Sequence, residues 1–181
     1  QNDFIHIVSD SQAAENFVKD LAKDAIEFLG DDALSDAEKQ KRFRKLLNNG
    51  FDMNTISRFA LGRYWRTASQ EQRKEYQALF RDMEIEVYSR RFSEYNGQVL
   101  EVRGSRKDNE KDITVQSFIV PDAGSEVQVD WRLRYKNGQY KVIDVMVEGV
   151  SMALTQRSDF SSVIQRGGGE ISVLIEHLKQ Q

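Results

Sequence analysis

Apolar residues recur at helical spacing through the first half of the chain and at alternate positions through much of the second. From Ser11 to Leu29, residues Ala14, Phe17, Val18, Leu21, Ala25, Phe28 and Leu29 fall three and four residues apart. That spacing predicts an amphipathic helix, with Gly30 as its stop. Ser35 and Glu38 stand at capping-box spacing, and Phe43, Leu46 and Leu47 form the stripe of a second helix that ends near Gly50. Asp52 is placed to cap a short third helix carrying Met53, Ile56, Phe59 and Ala60, which stops at Gly62. Ser69 opens a longer helix, again with a box-like spacing to Gln72. Its stripe is Tyr76, Leu79, Phe80, Met83, Val87 and Tyr88, and it runs to about Phe92. Glu84 and Glu86 are expected on the solvent side of that helix.

Near Tyr95-Asn96-Gly97 the period changes from 3.6 to 2. Four strands are predicted: Gln98 to Gly104, Asp112 to Val120, Glu126 to Lys136, and Tyr140 to Val147. In the third, Val127, Val129, Trp131, Leu133 and Tyr135 point one way; Gln128, Asp130, Arg132, Arg134 and Lys136 point the other. Asn137-Gly138 is a hairpin signal, and Asp122 to Ser125 turns the chain between the second and third strands. In the fourth, the odd positions Ile143, Val145 and Val147 and the even positions Val142 and Met146 are all apolar, which leaves its inward face open. The tail returns to helix through Phe160, Val163 and Ile164, breaks at Gly167-Gly168-Gly169, and resumes with Ile171, Leu174, Ile175 and Leu178. Helices followed by a meander of strands indicate an α+β fold, with helices packed on one face of an antiparallel sheet.

Composition narrows the function. The 181 residues suggest one domain, long enough to bury about 70% of the unfolded surface. Lys and Arg number 26 against 29 Asp and Glu, a net charge of −3 that argues against a dedicated nucleic-acid binder. No apolar run exceeds three residues and mean hydropathy is −0.62, so no membrane-spanning helix is expected. Gln1 to Asp10 has neither a basic start nor an apolar stretch of signal-peptide length, so an exported protein would be represented here by its mature form. Cysteine is absent, which removes disulfides, thiolate metal sites and cysteine nucleophiles.

Catalytic constellations are sparse. His6 and His177 lie near opposite termini, without the neighbours a metal site requires. The glycine triplet follows a helix and precedes no Lys-Ser or Lys-Thr, so it marks a helix break rather than a phosphate cradle. Ser161 and Ser162 lack a glycine elbow. Asp108, Glu110 and Asp112, with Lys107 and Lys111, fit a solvated turn. Asp144 and Glu148 could serve as an acid–base pair in a small pocket enzyme of the cone-shaped α+β kind; a wet-face position is the favoured alternative. Arg58, Arg63, Arg66, Arg73 and Arg81 form a basic group interleaved with Glu71, Glu75 and Asp82. Aromatic bulk is abundant, with 10 Phe, 6 Tyr and 2 Trp, and by pattern alone it is core.

Two separated blocks carry a resemblance. Gly62-Arg63-Tyr64-Trp65-Arg66-Thr67-Ala68-Ser69, followed by Glu71 to Tyr76 and Phe80, is similar to the MlaC or toluene-tolerance family. So is Val147-Glu148-Gly149-Val150-Ser151-Met152, followed by Phe160, Ile164, the glycine triplet and Leu174. The Asn96-Gly97 turn and Trp131 also fit, and the similarity runs in order from about Ala14 to Leu178. The third glycine of the triplet departs from the family pattern.

The resemblance implies a monomeric periplasmic carrier, without cofactor, metal or catalytic residues, whose bound ligand is a phospholipid. Its partners would be an inner-membrane ABC transporter with a ring of MCE domains and an outer-membrane lipoprotein–porin complex, and its role the upkeep of outer-membrane lipid asymmetry. Acyl chains would lie in a hydrophobic cavity between the helices and a curved four-stranded sheet. The wall residues expected on that basis are Phe59, Phe80, Met83 and Val87 from helices, Val129, Trp131, Leu133, Val145 and Val147 from the sheet, and Met152 at one end.

Overall fold

A computed structural model describes residues 2–181, with side chains described from Asp10 onward. Helix α1 (Asn2–Leu29) begins ahead of the predicted start at Ser11 and stops at the expected glycine. In α2 (Asp36–Gly50), Ser35 caps as expected by accepting from the Glu38 N–H. Asp52 caps α3 (Met53–Leu61), accepting from Thr55 N at 3.0 Å and from Thr55 Oγ1 at 2.7 Å. Gly62 then ends α3 at φ +60°, and a Cβ there would sit 3.3 Å from Arg157 Nε, so both conformation and space favour glycine. A one-turn helix, α4 (Tyr64–Thr67), intervenes before α5 (Gln70–Ser89). The capping box of α5 is complete: Ser69 and Gln72 each accept the other's backbone N–H.

After a 3-10 turn at Phe92–Glu94, strands β1 (Val99–Lys107), β2 (Asp112–Val120), β3 (Val127–Lys136) and β4 (Gln139–Val147) form an antiparallel meander. Asn137 and Gly138 both take positive φ, 54° and 77°, as a two-residue hairpin of the primed type requires. The four predicted strands become five. Val150–Ser151 forms a two-residue β5 that folds back on β4, with Val147 opposite Val150. Two residues are too few to show alternation in the sequence. Helices α6 (Met152–Arg166) and α7 (Ile171–Lys179) complete the chain. The glycine triplet joins them as a break, its Gly169 N–H bonded back to Ile164 O at 2.8 Å.

Two bulges shape the sheet. On β1 the register shifts between Val102 and Gly104, leaving Arg103 as the extra residue. On β4, Arg132 faces Asp144 while Leu133 faces Val142, so Ile143 is extra. That insertion reverses the parity of β4: Val142 on one side of it and Val145 and Val147 on the other share the face of Leu133, Trp131 and Val129.

Two cores result. In one, Ala14 and Val18 of α1 pack on Ile113, Val115, Leu133 and Val142 of the sheet. The other is helical: Tyr76 and Phe80 of α5 meet Phe160 of α6 with ring centroids 6.1 Å apart, and Leu174 and Leu178 of α7 close it. Tyr76 donates to Ser57 O at 2.6 Å, which satisfies its buried hydroxyl. Among the described residues no helix is long and apolar enough to cross a membrane.

Candidate functional site

A pocket of about 610 Å³ lies between the two cores. The stripe of α1 continues past its contact with the sheet, so Leu21, Ala22, Ala25 and Leu29 form one wall. Phe43, Leu46 and Leu47 of α2 form a second, and Phe51, Met53 and Ile56 form another part. Phe80 of α5 belongs to both the helical core and the pocket. Leu100, Ile119, Trp131, Val142, Val145 and Val147 are the sheet's share, and Met152 and Ala153 of α6 complete the lining. The size is within the ordinary range of small-molecule sites, about 300–1,000 Å³. Among the described residues the wall carries no histidine, cysteine, serine, threonine or lysine. Trp131 is held in place by polar contacts at its edge: Nε1 donates to Ser117 Oγ at 2.9 Å, and that hydroxyl donates to Val129 O at 2.6 Å.

The two carboxylates proposed for catalysis have structural duties instead. Asp144 accepts from the backbone N–H of Val145 at 2.8 Å and of Ala153 at 3.0 Å, and from the Ser151 hydroxyl. It thereby ties β4 to the start of α6. Glu148 accepts from Gln128 N at 2.8 Å across the sheet. Asp144 makes its bonds from the pocket wall, which also carries Glu94 and Glu84, the last of them expected in solvent. Glu84 lies one turn from Phe80 and one from Tyr88, both also on the wall, so its spacing places it on the inward face. Burial raises its pKa from 4.5 to about 7. Burial, together with the Glu84 charge, raises Tyr88 to about 12.

The MlaC family model, described as MlaC protein, matches residues 19–180. The chain belongs to the MlaC family. Among its relatives, the toluene tolerance protein ttg2D of Pseudomonas putida is 26% identical over 133 residues, 73% of this chain and 62% of its own length. The intermembrane phospholipid transport system binding protein MlaC of Haemophilus influenzae is 24% identical over 124 residues, 66% of this chain and 57% of its own length. The matched stretch of the chain thus spans about three-fifths of these relatives. A solved phospholipid-binding protein of Ralstonia solanacearum, in complex with a phospholipid, shares the fold with a TM-score of 0.80 and 23% identity. The superposition covers 92% of this chain and 95% of that one.

The blocks resembling the MlaC family sit in different places. Gly62 to Ser69 builds a scaffold in which Trp65 is stacked by Arg58 at 5.5 Å and Arg73 at 4.8 Å. Val147 to Met152 borders the pocket through its two end residues. Of the wall residues expected from the sequence, Phe80, Trp131, Val145, Val147 and Met152 line the pocket. The structure puts the others elsewhere. Phe59 is 37% exposed under the Arg157 guanidinium, and Val87 is 44% exposed. Met83 packs against the helical core. Leu133 is fully buried beneath α1, and Val129 is 4% exposed beyond Trp131 on the strand. A period locates a face but not how far along that face a neighbour covers it. The contribution of α1 and α2 was absent from the expectation, and the stripe carries no signal for it, since its two alanines divide between core (Ala14) and pocket (Ala25).

Proposed function

We propose that the chain is a periplasmic phospholipid carrier and not an enzyme. The observation that carries this reading is the apolar pocket between α1, α2, α5 and the sheet, in a member of the MlaC family. A relative named as a phospholipid transport binding protein and a phospholipid-bound structure of the same fold support it. As one monomeric domain, the protein takes lipid between an outer-membrane lipoprotein–porin complex and an inner-membrane ABC transporter with an MCE ring, and so maintains outer-membrane lipid asymmetry.

The energetics suit a shuttle. An acyl chain of about 15 methylenes gains about 12 kcal/mol on leaving water, at about 0.8 kcal/mol per methylene. A bilayer offers the chain the same gain, so transfer from bilayer to carrier is nearly neutral for the tails, and partners govern the rate. A headgroup left in solvent gives little headgroup selectivity. Native mass spectrometry of protein purified without added lipid tests the reading. The expected result is a mass increment of one or two phospholipids. Protein that carries no lipid and acquires none from vesicles would overturn it.

A further inference from the structure

Glu84 is chemically out of place in the pocket. Most of the wall is apolar, the titratable groups that feel the Glu84 charge are Tyr88 on the wall and the buried Tyr76 of the same helix, and among the described residues no hydrogen bond or ion pair reaches its carboxyl. The other titratable groups on the wall are Tyr88 from α5, Arg91, Glu94 and Tyr95 from the segment after it, and Asp144 from β4. Among the described residues, the wall positions of α1, α2, α3 and α6 include none. Asp144 is engaged by the hydrogen bonds that join β4 to α6. Arg91 is exposed, and its charge acts on Tyr88. Glu84 lies seven residues before Arg91, about 10 Å along a helical rise. A carboxylate so placed keeps its charge only while water fills the pocket beside it, because a desolvated, unpaired charge is costly.

We propose that Glu84 couples lipid loading to proton uptake: the loaded pocket holds acyl chains against a neutral Glu84 carboxyl, and the empty pocket lets that carboxyl ionise. Glu84 is then a specificity residue of the carrier, and the proposal rests on the phospholipid reading above. The proton enters from solvent and stays on Glu84; no bond of the lipid changes. The sign follows from the empty protein. Its carboxyl titrates near 7, so below that pH it is already neutral and loading takes up no proton. Above that pH loading must protonate it, and affinity falls by about tenfold per pH unit.

The test uses lipid-free protein and phosphatidylcholine vesicles, whose headgroup does not titrate near neutrality, with loading read by native mass spectrometry. Wild type should bind about tenfold more weakly at about pH 8 than at about pH 6. Glu84→Gln should change less than about twofold over the same range and load better than wild type at the higher pH. A second measurement needs no variant: loading wild type in weak buffer at about pH 8 should take up about 0.9 proton per protein, followed with an indicator dye. Loading of wild type that is independent of pH, an equal pH dependence in the variant, or no proton uptake overturns the coupling and leaves the carrier reading intact. Wild type that takes up no lipid at either pH overturns both.

Discussion

At the scale of residues, the difference between a wall and a core is a few ångströms along one strand. Trp131 faces the pocket while Val129 and Leu133, its neighbours on the same face, are sealed. Val129→Trp should therefore overpack the sheet, at a cost of about 1–3 kcal/mol and a Tm loss of about 2–10 °C, with lipid retained. Ala25→Trp should do the reverse. Ala25 is half-buried on the α1 wall, so the indole enters the pocket, lipid content falls, and the lipid-free Tm holds within about 2 °C. Copurified lipid and the melting of lipid-free forms together separate the two; bound lipid would mask the difference by mass action. An Ala25→Trp protein that keeps its full complement of lipid contradicts the pocket assignment. Sequence periodicity could not make this distinction, because it assigns Val129, Trp131 and Leu133 to one face without saying what covers it. Nor could it orient β4, where the extra Ile143 puts an even and two odd apolar positions on the same side.

At the scale of elements, the sequence was most legible where local chemistry sets the boundary. Ser35, Asp52 and Ser69 cap the helices they were expected to cap, and β2 runs from Asp112 to Val120 as alternation predicts. Strand β1 runs past its predicted end at Gly104 because the bulge at Arg103 interrupts the period there. Asp112, expected in a solvated turn, is instead 1% exposed at the first position of β2. It sits opposite Arg134 and diagonal to Arg132, which donate to it at 2.8 Å through Arg134 Nε and Arg132 Nη2; Asn109 adds a bond at 3.3 Å. Burial pushes its pKa up, but the bonds from Arg134, Arg132 and Asn109 outweigh it and bring the carboxyl from 3.8 down to about 2. A depressed value means stabilisation that is complete above about pH 4 and lost as pH falls through about 2. The arginines are partly solvated, 41% and 38% exposed, so the full shift overstates the effect. Asp112→Asn should cost about 1–2 kcal/mol at pH 7 in urea unfolding, and its deficit should shrink toward zero as the pH approaches about 2. A deficit that persists undiminished in acid would assign the loss to packing rather than to charge.

At the scale of the whole molecule, the pocket exists because two cores meet only in part: α1 covers the sheet, α5 to α7 enclose their own interior, and the space between belongs to neither. No local pattern encodes such a gap, which is why periodicity could not locate it. The basic group is likewise a property of the assembled surface. Arg58, Arg63 and Arg66 are exposed, and Arg73 and Arg157 are half-buried beside them in the stacked scaffold. Among the described residues none of these five has a carboxylate within ion-pair distance, although acidic residues are interleaved with the group in sequence. Glu75 pairs instead with Lys179 at 2.8 Å and Asp82 with Arg44 at 3.2 Å. Arg157 lies 3.8 Å over the Phe59 ring and donates to Phe59 O at 2.8 Å, so its cation is held in place rather than free to fold back. Unpaired, pre-oriented cations on an acidic protein favour an acidic partner surface, and their reach is about a Debye length, 8 Å at physiological salt. Docking to the MCE ring proposed as its partner should therefore weaken several-fold between low and high salt, chiefly through slower association. The paired change Arg58→Glu with Arg66→Glu should weaken it further and flatten the salt dependence, while lipid content stays at the wild-type level because neither residue touches the pocket. Association rates that are equal at low and high salt, or equal in the wild type and the charge-reversed protein, would remove this face from the docking surface.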